Sequence, residues 1–336
     1  MTWHAIDQLE DAFTATKSLL LPVSVKQWVI LGIVVFFISG ATGFNPSFSF
    51  NFGDLATPGL PTGEIPTDTD AVLTPGIALL IALILGFVAV VVGIVLAYLG
   101  AVLEFVFVDI ARTQDIKIRG FLGSHVRNGL SLFLLRIAVG IAIFAAVVIV
   151  LILTILTLGL FLLLLLVAFP ILIAVAVGIW LFLRFTDDFV VPTMIAADVG
   201  LIEGWKLFWV ELRAAWKQFG MYALVRIFLG FLGGILVAIG FGAIALILLL
   251  PFAIAGFGGV YVLAVLLGFE FAGMIWGGLV LFVFLFLVVV LGTVFVQVPV
   301  STYLRYYSLA VLGAIVPEYD LLAEMRPEFA NDSTPE

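Results

Sequence analysis

Long apolar runs separated by short polar stretches dominate the chain from Trp28 onward. Trp28 to Gly43 is just long enough to cross a bilayer, and Gly76 to Leu103, Phe219 to Leu250 and Phe271 to Val298 are longer. Leu130 to Leu183 holds 54 residues that are apolar apart from Arg136 and a few hydroxyls, enough for two crossings with a turn near Thr154 to Gly159. Uninterrupted apolar stretches of roughly 18 residues or more are the mark of membrane-spanning helices. The pattern predicts an all-α fold, a polytopic transmembrane helical bundle, in one membrane domain from 27 to 316.

The polar interruptions differ in kind. Residues 1–26 read as a short amphipathic helix with Trp3, Ile6, Leu9 and Phe13 on one side, ended by Pro22. Asp7, Glu10 and Asp11 make it a poor signal-peptide start, so no cleavage is expected. The segment 44–74 is rich in Pro, Gly, Thr and Ser, carries four acids and has no Lys or Arg, which reads as a loop. Two elbows bearing Lys and Arg follow, 104–129 and 184–218, and an acidic tail closes the chain at 317–336. In the second elbow Trp205, Trp209, Leu212 and Trp216 share one helical face, while Glu203, Lys206, Arg213 and Lys217 share another. Tryptophans so placed suit the headgroup level of a membrane, where the ring is buried and the N–H stays wet.

All 14 Lys and Arg lie in the N-terminal segment, in the elbows with their flanking helix ends, or after Val298. The positive-inside rule places those regions, and both termini, in the cytoplasm and the 44–74 loop outside. The stretch 219–298 therefore crosses an even number of times. Two long helices give six spans, with Pro251 breaking the first and Phe252–Glu270 left as an outer re-entrant or interfacial piece; four short helices give eight. Six keeps Glu270 near the outer face, where it avoids the roughly 2.5–3.5 kcal/mol that a charge costs at the bilayer centre.

Composition narrows the function more than it names one. Apolar residues make up 64% and charged residues 11%, against about 25% charged in soluble domains, so a water-soluble surface could not be covered. A net charge of −8 with no basic stripe argues against nucleic acid as a partner. The absence of cysteine removes disulfides, thiol catalysis and thiolate metal sites. His4 and His125 are the two histidines, so a histidine zinc site is not expected, no cofactor is implied, and Gly123-Ser124-His125 lacks the glycine spacing of a nucleophile elbow and reads as ordinary surface.

Arg136 and Arg226 each lie about seven residues inside an apolar run, roughly 10 Å at the helical rise. Either Arg136 pairs with Glu104 or Asp109 and Arg226 with Asp187 or Asp188, or both arginines snorkel to the inner headgroups. Asp187 and Asp188 border a span and read as a solvated helix end, with an ion or proton site as the alternative. The small-residue pairs Gly230/Gly234 and Gly273/Gly277 suit close helix packing within the chain. Tyr303, Tyr306 and Tyr307 around Arg305 read as an aromatic belt for the last helix.

A weak internal repeat adds to this. A shift of 84 residues lays Phe105-Val106 on Phe189-Val190, Gly120-Phe121 on Gly204-Trp205 and Glu104 on Asp188; with six more residues Arg136 meets Arg226. Internal repeats frame midplane sites in transporters, and duplication leaves the same trace in proteins without transport.

The string from Asp11 through Leu21-Pro22-Val23 to Trp28, the Asp188-Phe189-Val190-Val191-Pro192 elbow, and the ending from Val298-Pro299 to Tyr306-Tyr307-Ser308-Leu309 resemble an uncharacterised multi-pass membrane protein family of halophilic archaea. The elbow, with Phe189-x-x-Pro192, Gly204-Trp205 and a tryptophan-bearing helix, is distantly similar to the membrane domain of glycerophosphodiester phosphodiesterases. The chain has no soluble barrel and no pair of catalytic histidines, so the resemblance does not extend to their hydrolysis.

The sequence thus points to a non-enzymatic membrane protein of the cell membrane that organises membrane lipid, or an unidentified membrane protein partner, at the cytoplasmic face through the acidic tail and the elbow surface of Trp205, Lys206, Trp209, Arg213, Trp216 and Lys217. A small-solute or lipid transporter using the interface between the repeats is the alternative. A polar cavity holding Glu270, Asp187 or Arg136 would favour transport, and a dry closed bundle the organising role. The topology has a direct check in a chain without native cysteine: Thr62→Cys and Thr113→Cys should label from opposite sides of the membrane, and same-side labelling would defeat it.

Overall fold

The computed structural model describes residues 4–41, 75–115, 118–157, 159–323 and 325. Trp3, the 44–74 loop, Lys117 and the tail from 326 lie outside the described residues. Every helix and turn among the described residues belongs to an all-helical chain: α1 His4–Leu20, α2 Val25–Ala41, α3 Pro75–Thr113, α4 Ile118–Leu156, α5 Leu160–Phe185, α6 Val191–Ala197, α7 Leu201–Ala214, α8 Trp216–Val260, α9 Glu270–Gly292 and α10 Val298–Ile315. Five continuous helices are long and apolar enough to cross a membrane: Leu83–Thr113, His125–Leu156, Leu164–Ala197, Trp216–Leu266 and Glu270–Ile315. The shorter apolar helix α2 brings the total to about six, and the protein is a multi-pass membrane protein.

The core sits at one end of the bundle. Unbroken buried runs occur at Ala101–Ala111 of α3, at Thr186–Met194 where α5 passes into α6, and at Arg305–Gly313 of α10. A helix buried on all sides must be enclosed by its neighbours; α10 is flanked by α1, α2, α3, α8 and the α5–α6 junction. This base is dense with side chains, whereas the arms rising from it are bare. The apolar windows of His125–Leu156 and Leu164–Ala197 contain no residue buried by the protein itself, as expected of surfaces that lipid covers.

Several expectations change here. The elbows begin later than their first charges: α3 runs through Glu104 and Asp109 to Thr113, and the α5–α6 rod runs through Arg184, Asp187 and Asp188 to Ala197. Those charges find partners inside the base, so they do not force the chain out into water. On α1 the face against the protein is small and mixed (Ala5, Gln8, Ala12, Ala15, Thr16), while Ile6 and Phe13 point outward. The Tyr307 hydroxyl donates to the Ala5 carbonyl at 2.9 Å, which ties α1 to α10. Tyr306 and Tyr307 are thereby core residues and not an interfacial belt. The start of the tail also docks, with Tyr319, Leu322 and Met325 buried.

Pro251 does not break the helix. It lies inside α8, which continues through a π-helical turn at Tyr261–Leu266 and reverses at Gly268 (φ 72°). Phe252–Glu270 is consequently the tip of one long hairpin, with an exposed Glu270 at its turn. The other hairpin turns at Gly159, also at positive φ (88°), where a side chain would be strained. Glycines set the spacing of the long hairpin: a Cβ at Gly240 would meet Val296 at 2.6 Å, at Gly273 Ala264 at 2.9 Å and at Gly277 Val260 at 3.2 Å.

Two further π-helical turns, Thr186–Val190 and Thr293–Gln297, each precede a Val-Pro at the start of the next helix, in the shared spacing Thr-x4-Val-Pro. Proline cannot donate to the carbonyl four residues back and its ring crowds it; one extra residue in the turn relieves both. In each case the valine before proline bonds five residues back, Val191 to Thr186 and Val298 to Thr293.

Leucine at Gly240 should overpack the hairpin and cost about 1–3 kcal/mol, lowering the midpoint of thermal unfolding in detergent. Leucine at Gly242, which has no neighbour within 4 Å of its Cβ, should leave it nearly unchanged.

Candidate functional site

The π-helical turn between α5 and α6 places two successive carboxylates on opposite sides of a buried ionic cluster. Asp187 Oδ1 accepts from Arg136 Nη2 of α4 at 2.7 Å. Asp188 Oδ2 accepts from Arg184 Nε at 2.8 Å, the Tyr222 hydroxyl at 2.7 Å and Arg226 Nε at 3.3 Å. Because Val191 bonds back to Thr186, the Asp187 carbonyl has no helical donor, and Arg305 Nη1 fills the vacancy at 2.9 Å. Arg305 also pairs with Glu104 Oε1 and lies over the Phe107 ring, 5.5 Å from its centroid. Arg136 Nη2 stands 3.6 Å from the second Glu104 oxygen, beyond hydrogen-bond distance.

Of the charges singled out from the sequence, Glu104, Arg136, Asp187, Asp188 and Arg226 therefore meet in one cluster, and Asp109 does not. Asp109 pairs with His125 Nε2 at 2.6 Å and lies 3.7 Å from Arg112. His125 is mostly buried and stacked on Phe105, not an ordinary surface residue. Asp188 is only 2% exposed, so the solvated helix end gives way to a buried one. Arg226 turns inward, its side chain 6% exposed, and does not snorkel. The residues related by the 84-residue shift, Glu104 and Asp188, share this layer, as do Arg136 and Arg226.

Arg184, Tyr222 and Arg305 were not singled out by their charge pattern. Arg305 lies seven residues past Val298, beyond the end of its apolar run, so the depth that drew attention to Arg136 and Arg226 did not mark it. Tyr222 precedes Arg226 by four residues, the spacing that stacks two side chains on one helical face.

Above the cluster opens a cavity of about 550 Å³. Its floor carries Glu104, Asp187, Asp188, Arg184, Arg226 and Arg305, and its walls rise along Ile38, Trp180, Phe231, Ile235 and Ala238. The polar pair Gln297 and Ser39, joined at 2.5 Å, closes one side. Gly230 thins the α8 wall: the nearest atom to a Cβ there is Arg226 Nη1, at 3.8 Å. Phe231, on the lining, is 66% exposed, so the cavity is reached from the lipid-facing side of the arms. Charged floor and apolar walls together suit a molecule with a polar head and an apolar body.

The elbow surface divides. Trp205 turns in, stacked on Phe182 with centroids 4.7 Å apart, and its N–H is buried without a partner. Phe208 and Gly204 form the buried side of α7. Trp209 and Trp216 face outward, capped by Arg213 at 4.9 Å and Lys217 at 5.8 Å, and Lys206 is exposed.

Breaking a buried pair strands the partner charge and costs about 3–5 kcal/mol, whereas an exposed charge is worth about 0–1 kcal/mol. Arg226→Gln should therefore lower thermal stability in detergent far more than Lys217→Gln; equal effects would dismiss the pairing.

Comparison with known proteins returns no match among curated proteins and none among solved structures. A family model does match, over residues 3–322 and so over nearly the whole chain. The chain belongs to that family, described as a family of unknown function (DUF7544).

Proposed function

We propose that this is a non-enzymatic integral protein of the cell membrane that binds a membrane lipid in the cavity between α2, α5, α8 and α10. The observation that carries the proposal is the union of a buried charged floor and lipid-reachable apolar walls in one space of about 550 Å³. A headgroup at the floor lies level with the ion pairs, and a chain follows the walls upward. The base, where the Lys and Arg residues gather, faces the cytoplasm with both termini, in keeping with the positive-inside rule. Trp209, Trp216, Lys206, Arg213 and Lys217 then lie along the inner headgroups, where rings and cations are both favoured. Kinship with proteins of halophilic archaea fits the acidic soluble segments. The distant likeness to the membrane domain of glycerophosphodiester phosphodiesterases supports a membrane-embedded role without their chemistry.

The same cavity favours a second reading, transport of a lipid or small solute, because Asp187 lies on its floor. Reconstituted vesicles would separate the two: transport moves a labelled lipid between leaflets or a solute across, and binding alone does neither.

Native mass spectrometry of the protein extracted gently from its own membrane tests the proposal. A discrete lipid mass that survives activation is the expected result. Gly230→Leu, at a cavity-lining position where an added Cβ meets only Arg226 Nη1, at 3.8 Å, should remove it while preserving the unfolding midpoint. A bare wild-type monomer, or lipid retained equally by the variant, would sink the proposal.

A further inference from the structure

Among the described residues the ion-paired cluster holds four guanidinium groups (Arg136, Arg184, Arg226, Arg305) and three carboxylates (Glu104, Asp187, Asp188). Arginine does not deprotonate in proteins, so the cluster carries at least one surplus positive charge; protonating any carboxylate only increases it. A buried charge without a counterion is costly. The donors locate the surplus. Arg305 spends one terminal nitrogen on Glu104 and the other on the Asp187 carbonyl. Arg226 and Arg184 each engage Asp188 through Nε alone. Among the described residues their terminal nitrogens have no hydrogen-bond partner, both residues line the cavity, and the Arg226 side chain is 6% exposed; Arg136 Nη1 also lacks a partner, but Arg136 is not part of the cavity lining.

We propose that the cavity is a site for the anionic phosphodiester headgroup of a membrane lipid, held by the terminal guanidinium nitrogens of Arg226 and Arg184. This rests on the lipid-binding proposal above and names the headgroup class. One negative charge neutralises the floor, and a phosphodiester offers oxygens spaced for guanidinium forks. A zwitterionic lipid has the same phosphate but returns a cation to a place already short of anions. The apolar walls of Trp180, Phe231 and Ile235 distinguish a lipid from a free anion, which would have no use for them.

The test is competition in mixed micelles holding phosphatidylglycerol and phosphatidylcholine with identical acyl chains, read by native mass spectrometry of the delipidated full chain. Phosphatidylglycerol should be retained about tenfold over phosphatidylcholine, about 1.4 kcal/mol, because only the choline headgroup brings a cation back to the floor. Arg226→Gln should bring the ratio toward one. Arg184→Gln removes the same charge from a side chain that is 26% exposed and leaves Asp188 with Tyr222 and Arg226, so it serves if Arg226→Gln does not fold. Asp187→Asn adds to the surplus and should move the ratio the opposite way.

Equal retention of the two lipids, both displaced by Gly230→Leu, would overturn the anionic headgroup while leaving the lipid pocket standing. Retention that ignores Gly230→Leu would overturn the pocket itself. Inorganic phosphate added to the micelles should not displace the lipid; full displacement would make the occupant a free anion and overturn the lipid assignment.

Discussion

A guanidinium or carboxylate withdrawn from water must find a counter-charge, and here that constraint fastens five stretches of chain to one another. Glu104 on α3, Arg136 on α4, Arg184 to Asp188 at the α5–α6 junction, Tyr222 and Arg226 on α8, and Arg305 on α10 can be satisfied only together. Apolar contact between transmembrane helices is weakly directional, because lipid tails compete equally well. Ion pairs and hydrogen bonds are directional, and they supply the register that the arms cannot. The molecule accordingly divides into a base held by named partners and arms that meet mostly lipid.

Backbone geometry and charge placement are linked in this base. The Val191-Pro192 step removes a helical donor, the π-helical turn makes room for the proline, and the freed Asp187 carbonyl is taken by Arg305. A regular helix through the same residues would occupy that carbonyl and leave Arg305 with one partner fewer. Arg305 in turn fixes α10, on which α1 and the start of the tail rest. A local irregularity caused by proline thus organises contacts more than a hundred residues away.

The helical membrane class was legible because periodicity is irrelevant when whole runs of residues are apolar, and the tight turn near Gly159 was legible from its polar residues. The ends of the helices were not. Glu104 and Asp188 look like exits from the membrane as long as each is considered alone; only their partners on other helices, 32 to 201 residues distant in the chain, show that they point inward. Pro251 looked like a break because proline usually ends helices in water, whereas a membrane leaves the remaining backbone bonds no competitor. Tyr306 and Tyr307 resembled an aromatic belt because belt and core tyrosines share one composition and differ only in whether the hydroxyl meets water or a carbonyl. The cavity had no sequence signature beyond Gly230, since it is the gap between helices that the ion pairs hold at fixed distances.

The two hairpins rise to unequal heights from this common floor. From Arg136 to the turn after Leu156 there are about 20 residues, roughly 30 Å of helix and one hydrocarbon thickness. From Arg226 to Leu266 there are about 40, roughly 60 Å, with no charge along the way. An uncharged rod twice as long as the slab that dissolves it cannot stand upright with its foot at one face. It has to lean, or draw thicker bilayer around itself, and leaning carries its tip far sideways into the opposite leaflet. The protein therefore claims a wide, lopsided territory in the membrane, sparse in protein and filled by the lipids it encircles.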